Sequence, residues 1–448
     1  MNLKFCLIGH TEHTTRNFFS NQGMGEVVHA KKFRQQLING GYSSGNILDV
    51  YELFGTKEQL DRFAEINHSL ASHGFQIIDD FPNSELSAAK KHLEADGHIY
   101  IVLSYDWILS AVTGLGLHLK APLITKSYSP TNGRRVHPAL YEKSTLVITE
   151  CLAANIESIK AGIPAWKMLY IPHSFPDSIN KTTKDPEYLK KLAKENNKNI
   201  SFTDKTLVVG MVTRFKQGKN MVPALLAFKK IQKEFPDAIF VLKGGYDGVV
   251  EGTVKLKRIL KQFLKKMQRE SWFLWDRSFN SFPKVLEEFS CFDICVHPSG
   301  IDTASNTIVE FMALGKPCLV LEEQTNPYLF KGGVEMIKPA SKLRLWNDFH
   351  YLTPDIDHLA SLFKQYLSDE KLRKELGDRA KDVAQKRFSS EQTLKRIPLL
   401  IESALSFYHQ LPTQESYRKK IVRQYEEDLE LYGIVNNSMT FHPGASIS

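Results

Sequence analysis

The sequence is short of the features that would place it at a glance. Its 448 residues include five cysteines, Cys6, Cys151, Cys291, Cys295 and Cys318, an odd number set mostly in apolar runs. That argues against a disulfide-framed secreted domain and for a reduced, cytoplasmic compartment. Cys291 and Cys295 lack a second pair at ligand spacing, so no zinc site is expected. Long hydrophobic runs are missing too. Phe5-Cys6-Leu7-Ile8 is shorter than the apolar region of a signal peptide. The longest apolar stretch, Ile99 to Leu119, is broken by Asp106 and His118 and reads as a strand, a loop and a helix rather than a membrane span. Charge is not strongly one-sided. The 58 Lys and Arg against 50 Asp and Glu leave +8, which leaves room for a phosphate-bearing ligand or contact with an anionic membrane surface. No basic patch interleaved with aromatics is present, so nucleic acid is not an expected partner. Low-complexity segments and short-period repeats are also absent.

What is present is an alternation of short apolar runs and amphipathic stretches over a length suited to two domains. Strands are expected at Leu3–Ile8, Ile47–Val50, Gln76–Ile78, Ile99–Leu103, Leu123–Thr125, Leu146–Thr149 and Met168–Ile171, with helices such as Lys57–His73 and Ala153–Ala161 between some of them. Lys181 to Lys205 is lysine-rich and polar and reads as a linker. A second alternation follows: strand Leu207–Val212, helix Met221–Phe235, strand Ala238–Leu242, helix Val254–Glu270, strand Trp272–Trp275, helix Phe282–Phe289. Then come Glu335–Ile337, a charged helix over Asp357–Phe388, and another over Glu415–Leu431. The expected class is therefore α/β, with two doubly wound Rossmann-like domains and mostly parallel sheets covered on both faces. The expected bounds are 1–180, a linker over 181–205, 206–405, and a closing segment over 406–448.

The stretch Ile294–Leu321 carries the most chemistry. Ile294-Cys295-Val296 is a buried-strand run, Pro298 to Thr303 a loop, and Ser305 to Leu314 a helical pattern. Ser305 and Asn306 are good N-cap types, Gly315 suits a left-handed C-cap, and Pro317 forbids continuation. Ligands of such sheets bind outside the carboxyl ends of the strands. Asp302 in the loop and Glu310 on the helix flank the helix N-terminus, where free N–H groups and the helix dipole favour a phosphate. Two acids beside an anion site suit a ligand that is part phosphate and part polyol, such as a nucleotide sugar. Upstream, Arg214 follows a strand, with Lys219 five residues on. Fixed cations there would stabilise the charge that builds on a departing phosphate.

Asp302 and Glu310, with the turn Ala313-Leu314-Gly315-Lys316-Pro317, resemble the E-x7-E signature of retaining glycosyltransferases of family 4, with Asp where the family usually has Glu. Val208 to Asn220 resembles that family's strand followed by R-x4-K. The resemblance covers Leu207 to Phe388 well and the N-terminal half in outline. It implies the GT-B fold, two domains facing a cleft, with Arg214 and Lys219 on the donor diphosphate and Asp302 on the transferring sugar. Glu310 would bind the ribose hydroxyls, and Ser305, Asn306, Thr307, Gly244 and Arg277 would complete the donor site. Gly23 and Gly25 sit where the family often has a glycine-rich loop, although an ordinary tight turn explains them equally well. Ile171-Pro172-His173-Ser174 resembles the segment closing the family's first domain, and the last helix would cross back onto that domain. The expected activity is transfer of a hexose or N-acetylhexosamine from a UDP- or GDP-linked donor to a glycan or lipid-linked hydroxyl, with no cofactor and no metal.

Two observations leave other readings open. The family's first-domain His has no counterpart after Thr125-Lys126-Ser127-Tyr128. Asp355-Ile356-Asp357 looks like a manganese-binding D-x-D but sits at a helix start, where capping explains it better. A nucleotide-sugar epimerase, an inverting transferase, or a silent sugar-nucleotide-binding subunit are the alternatives.

Overall fold

The structure is a computed structural model that describes residues 3–8, 34–43, 47–49, 98–102, 122–126, 141, 144–185, 187–203, 205–213, 215, 217–245, 254–278, 280–300, 302, 304–323, 326–344 and 350–434. The expected helix Lys57–His73 and strand Gln76–Ile78, and the candidates Gly23, Gly25 and Arg214, lie outside these residues. The chain forms two compact units. The described residues up to Ser174 and those from Ser390 to Ile434 form the first, and those from Phe175 to Ser389 form the second.

In the first unit the described strands are β1 (Lys4–Ile8), β2 (Ile47–Asp49), β3 (His98–Val102), β4 (Leu123–Lys126), β5 (Leu146–Thr149) and, after helix α1 (Leu152–Lys160), β6 (Met168–Tyr170). They form one sheet in the order β2-β1-β3-β4-β5-β6, parallel throughout. Continuous burial along β5 and β6 is the mark of a sheet covered on both faces.

The second unit begins at Phe175, so it contains the segment read as a linker. Helix α2 (Tyr188–Glu195) forms there, with Tyr188, Leu192 and Ala193 buried. Two polar residues of this stretch bond to the main chain of neighbouring segments. Asn196 donates to the carbonyls of Leu192 and Trp275 and accepts from the Trp275 N–H at 3.0 Å, and the Lys198 ammonium donates to the carbonyls of Gln268 and Glu270. Asn196 and Lys198 thereby tie this stretch to the main chain of residues 268–275.

The sheet of this unit is built from β7 (Val208–Val212), helix α3 (Met221–Ile231), β8 (Ile239–Lys243), α4 (Val254–Met267), β9 (Phe273–Asp276), α5 (Phe282–Ser290), β10 (Ile294–His297), α6 (Asn306–Ala313), β11 (Cys318–Leu321), α7 (Asn326–Leu329) and β12 (Glu335–Ile337). Its order is β12-β11-β10-β7-β8-β9, all parallel. From β7 the chain steps outward through β8 and β9, then returns beside β7 and steps the other way through β10, β11 and β12. The reversal between β7 and β10 is the topological switch point where doubly wound sheets open a crevice for ligands. A hairpin, β13 (Pro339–Arg344) and β14 (His350–Pro354), follows. Val209, Met211, Phe228, Phe240, Ile294, Val296 and Leu319 anchor the core.

The charged run expected as one helix is two, α8 (Ile356–Ser368) and α9 (Glu370–Phe388). Asp369 breaks it by adopting extended backbone and accepting from Leu372 N–H at 2.9 Å, an N-cap that competes with helix continuation. Asp355 likewise caps α8, accepting from the N–H groups of Asp357 at 2.8 Å and His358 at 3.0 Å. Helices α10 (Ser390–Leu394), α11 (Arg396–Tyr408) and α12 (Gln414–Leu431) return to the first unit. There Ile397, Leu400, Ile401, Ala404 and Ile421 share one core with Ile124, Leu146, Ile148 and Leu169.

Candidate active site

The switch point of the second sheet is closed by two loops, one after β7 and one after β10. Gly300 N–H donates to the Gly218 carbonyl at 2.9 Å, and the Asn220 side chain donates to the carbonyls of Pro298 and Leu352, each at 2.8 Å. Gly300 lies so close to β14 that a Cβ would come within 2.2 Å of the Leu352 carbonyl oxygen, so any side chain there would push its loop away from β14. This stitching carries Lys219 to Asp302 although 83 residues separate them.

Asp302 is held from two sides. The Lys219 ammonium donates to Oδ1, and Oδ2 shares a 2.7 Å hydrogen bond with His297 Nε2 at the end of β10. Burial alone would push the Asp302 carboxyl up, but the Lys219 charge and the His297 bond hold it well below the usual carboxylate range. It is a fixed anion with its lysine beside it. The sequence pointed to Lys219 and Asp302 but not to His297, whose only signal is its place at the last residue of a buried strand.

Helix α6 opens directly beyond this loop. Ser305 is its N-cap with extended backbone and makes no side-chain capping bond, while Asn306 and Thr307 occupy the first turn half-buried. Glu310, one turn in, is only 5% exposed. The helix ends as expected. Gly315 takes φ +69°, its N–H donates to Met312, and Lys316 N–H donates to Phe311, the paired bonds that satisfy the last carbonyls.

A second acid near Asp302 escaped the sequence reading. Glu323, two residues past β11, is buried at 3% exposure, and its Oε2 has no hydrogen-bond partner among the described residues. Burial first, then the neighbouring Asp302 charge, push its carboxyl up to about 8 against a smaller opposing pull from Lys219. Its position just outside the carboxyl end of a strand was the available signal.

Gly244 and Arg277 lie farther along the same sheet edge. Gly244 follows β8 with φ +134° and packs against Thr213, and its carbonyl accepts from the Trp275 indole at 2.9 Å. Arg277 is exposed, and its guanidinium stacks 3.8 Å above the Trp275 ring. The hydrogen-bond partners of Asp302 are Lys219 and His297, and neither Gly244 nor Arg277 is among them. Between them Lys243 forms a separate, sealed ion cluster with Asp276 at 2.6 Å and Glu288 at 2.7 Å, to which Tyr188 adds a hydroxyl donated to Asp276. Among the described residues no group of three or more His, Cys, Asp or Glu is placed to hold a metal ion, and no helix is long and apolar enough to cross a membrane.

No relative among curated proteins matches the chain by sequence. Residues 177–383, almost the whole second unit, match the family model described as glycosyl transferases group 1. Similar solved structures include Anabaena HepE in complex with UDP-glucose, at 16% identity and a TM-score of 0.62 over 90% of this chain and 100% of that one. A glycosyltransferase from Rickettsia africae shares 14% identity with a TM-score of 0.59 over 90% of this chain and 99% of that one. Sucrose-phosphate synthase from Thermosynechococcus elongatus shares 13% with a TM-score of 0.60 over the same proportions. The chain has the GT-B fold of these glycosyltransferases, and its second unit carries the sequence match to group 1.

Proposed function

We propose that the protein transfers a hexose or N-acetylhexosamine from a nucleoside diphosphate sugar to a hydroxyl of a glycan or lipid-linked acceptor, retaining the anomeric configuration. The observation that carries this reading is the Lys219–Asp302–His297 cluster at the switch point of β7 and β10, directly before the N-terminus of α6. Lys219, with Arg214, takes the diphosphate. Asp302, released from part of its pairing, accepts from hydroxyls of the transferring sugar, and Glu310 accepts from the ribose. Ser305, Asn306 and Thr307 present the helix N-terminus to phosphate. Charge developing on the leaving diphosphate then meets protein cations without a metal ion, and that same phosphate takes the acceptor's proton. The match to group 1 and the UDP-glucose held by HepE support the donor class.

A thermal-shift screen over UDP-, GDP- and ADP-sugars identifies the donor, because a ligand bound only by the folded state raises the melting point. With that donor, Glu310→Gln is expected to weaken nucleoside diphosphate binding by about 1.5–3 kcal/mol. Asp302→Asn leaves that affinity nearly intact and lowers kcat. Wild-type kinetics in both variants would remove the site assignment.

A further inference from the structure

Glu323 has no role in the reading above, yet its surroundings are those of a working group. It follows β11 at the ligand-bearing edge of the sheet, its backbone fixed by Asn326 N–H donating to its carbonyl at 2.8 Å. Its side chain is withdrawn from water, and one oxygen has no partner among the described residues. A buried carboxyl with an idle oxygen is costly unless something meets it in a working state. The charged groups that act on it are Asp302, from the loop after β10, and Lys219, from the loop after β7, and Lys219 is already committed to Asp302. An ionised Glu323 would stand beside a second carboxylate with no cation of its own among the described residues.

Resting on the donor assignment above, we propose that Glu323 is a third acid of the donor pocket and works in the protonated form, donating its carboxyl hydrogen from Oε2 to an anionic oxygen of the bound diphosphate. The proton stays on the carboxyl, so no bond to the substrate forms or breaks. The group is a positioning donor that makes nucleotide binding proton-linked. Its elevated affinity for a proton in the free protein, near pH 8, agrees with this role. A bound phosphate brings further negative charge and raises that affinity again. Donor binding therefore takes up a proton where Glu323 is partly ionised, and weakens as pH rises above about 8.

Titration calorimetry of the full chain with UDP, GDP and ADP between pH 7 and 9, in buffers of different ionisation enthalpy, tests this. Wild type is expected to lose affinity toward a limit of about tenfold per pH unit above pH 8 and to take up a fraction of a proton on binding. Glu323→Gln, which keeps a donor but cannot ionise, is expected to bind with a flat profile and no proton uptake. The corresponding nucleosides, lacking phosphate, are expected to show no uptake with wild type. Zero proton uptake by wild type on binding any of the diphosphates overturns the proposal without needing a variant. Identical pH profiles in wild type and Glu323→Gln also overturn it, while leaving the donor reading intact. No binding of any diphosphate at any pH overturns the donor reading, and this inference with it.

Discussion

Two lysines in the second sheet, one in the loop after β7 and one at the end of β8, have been put to opposite uses. Lys243 is sealed. Its side chain is 6% exposed, its partners Asp276 and Glu288 are 2% each, and Ser278 adds a hydroxyl at 3.1 Å. Lys219 is paired more openly, with its side chain 11% exposed and that of Asp302 20% exposed. Both pairs satisfy a buried charge, but only the second can exchange its partner for a ligand without exposing the core. An ion cluster with every edge closed fixes the fold, whereas one left open on the carboxyl edge of a sheet is placed to meet substrate.

Breaking the sealed cluster gives the largest expected effect. Lys243→Met leaves Asp276 and Glu288 buried without a cation and is expected to cost about 3–5 kcal/mol of stability, read as a shift in the urea midpoint. Lys219→Ala should cost far less stability, because Asp302 keeps His297 and some solvent. Its penalty is expected in turnover, on the order of a hundredfold or more, as for other donors aimed at developing charge. If the two variants were equally destabilised, the contrast between sealed and open clusters would fail.

Glu323 adds a pH dependence to this contrast. Its folded-state value, about 8, lies above its ordinary 4.5, so the folded chain holds a proton that the unfolded chain releases. The resulting stability is complete below pH 4.5 and is lost as pH rises through about 8. Urea midpoints across that window are expected to fall less steeply in Glu323→Gln than in wild type, by at most about 1.4 kcal/mol per pH unit.

Much of the second unit was legible in the sequence, because buried parallel strands are near-continuous apolar runs and the stretch from Ile294 to Leu321 carries its own caps and stops. Lys219 and Asp302 were legible as residue types at strand ends. Their direct pairing was not, since it depends on Gly300 meeting Gly218 across the switch point. His297 and Glu323 were missed for a related reason. One looks like the end of a strand and the other like a surface acid, and only burial sets them apart. The polar run at Lys181–Lys205 hides contacts of another kind. Composition does not reveal whether an Asn or Lys bonds to water or to the main chain of a neighbouring strand, as Asn196 and Lys198 do.

The division of the first unit has a consequence for synthesis. Its sheet strands leave the ribosome first, but the apolar cover supplied by Ile397, Leu400, Ile401 and Ile421 emerges only after the entire second unit. The contiguous Phe175–Ser389 unit can therefore finish folding while Ile124, Leu146, Ile148 and Leu169 are still waiting for those partners. During translation the half made earliest is the half completed last, and it carries an open apolar face for more than two hundred codons' worth of elongation, roughly ten to forty seconds at ordinary rates.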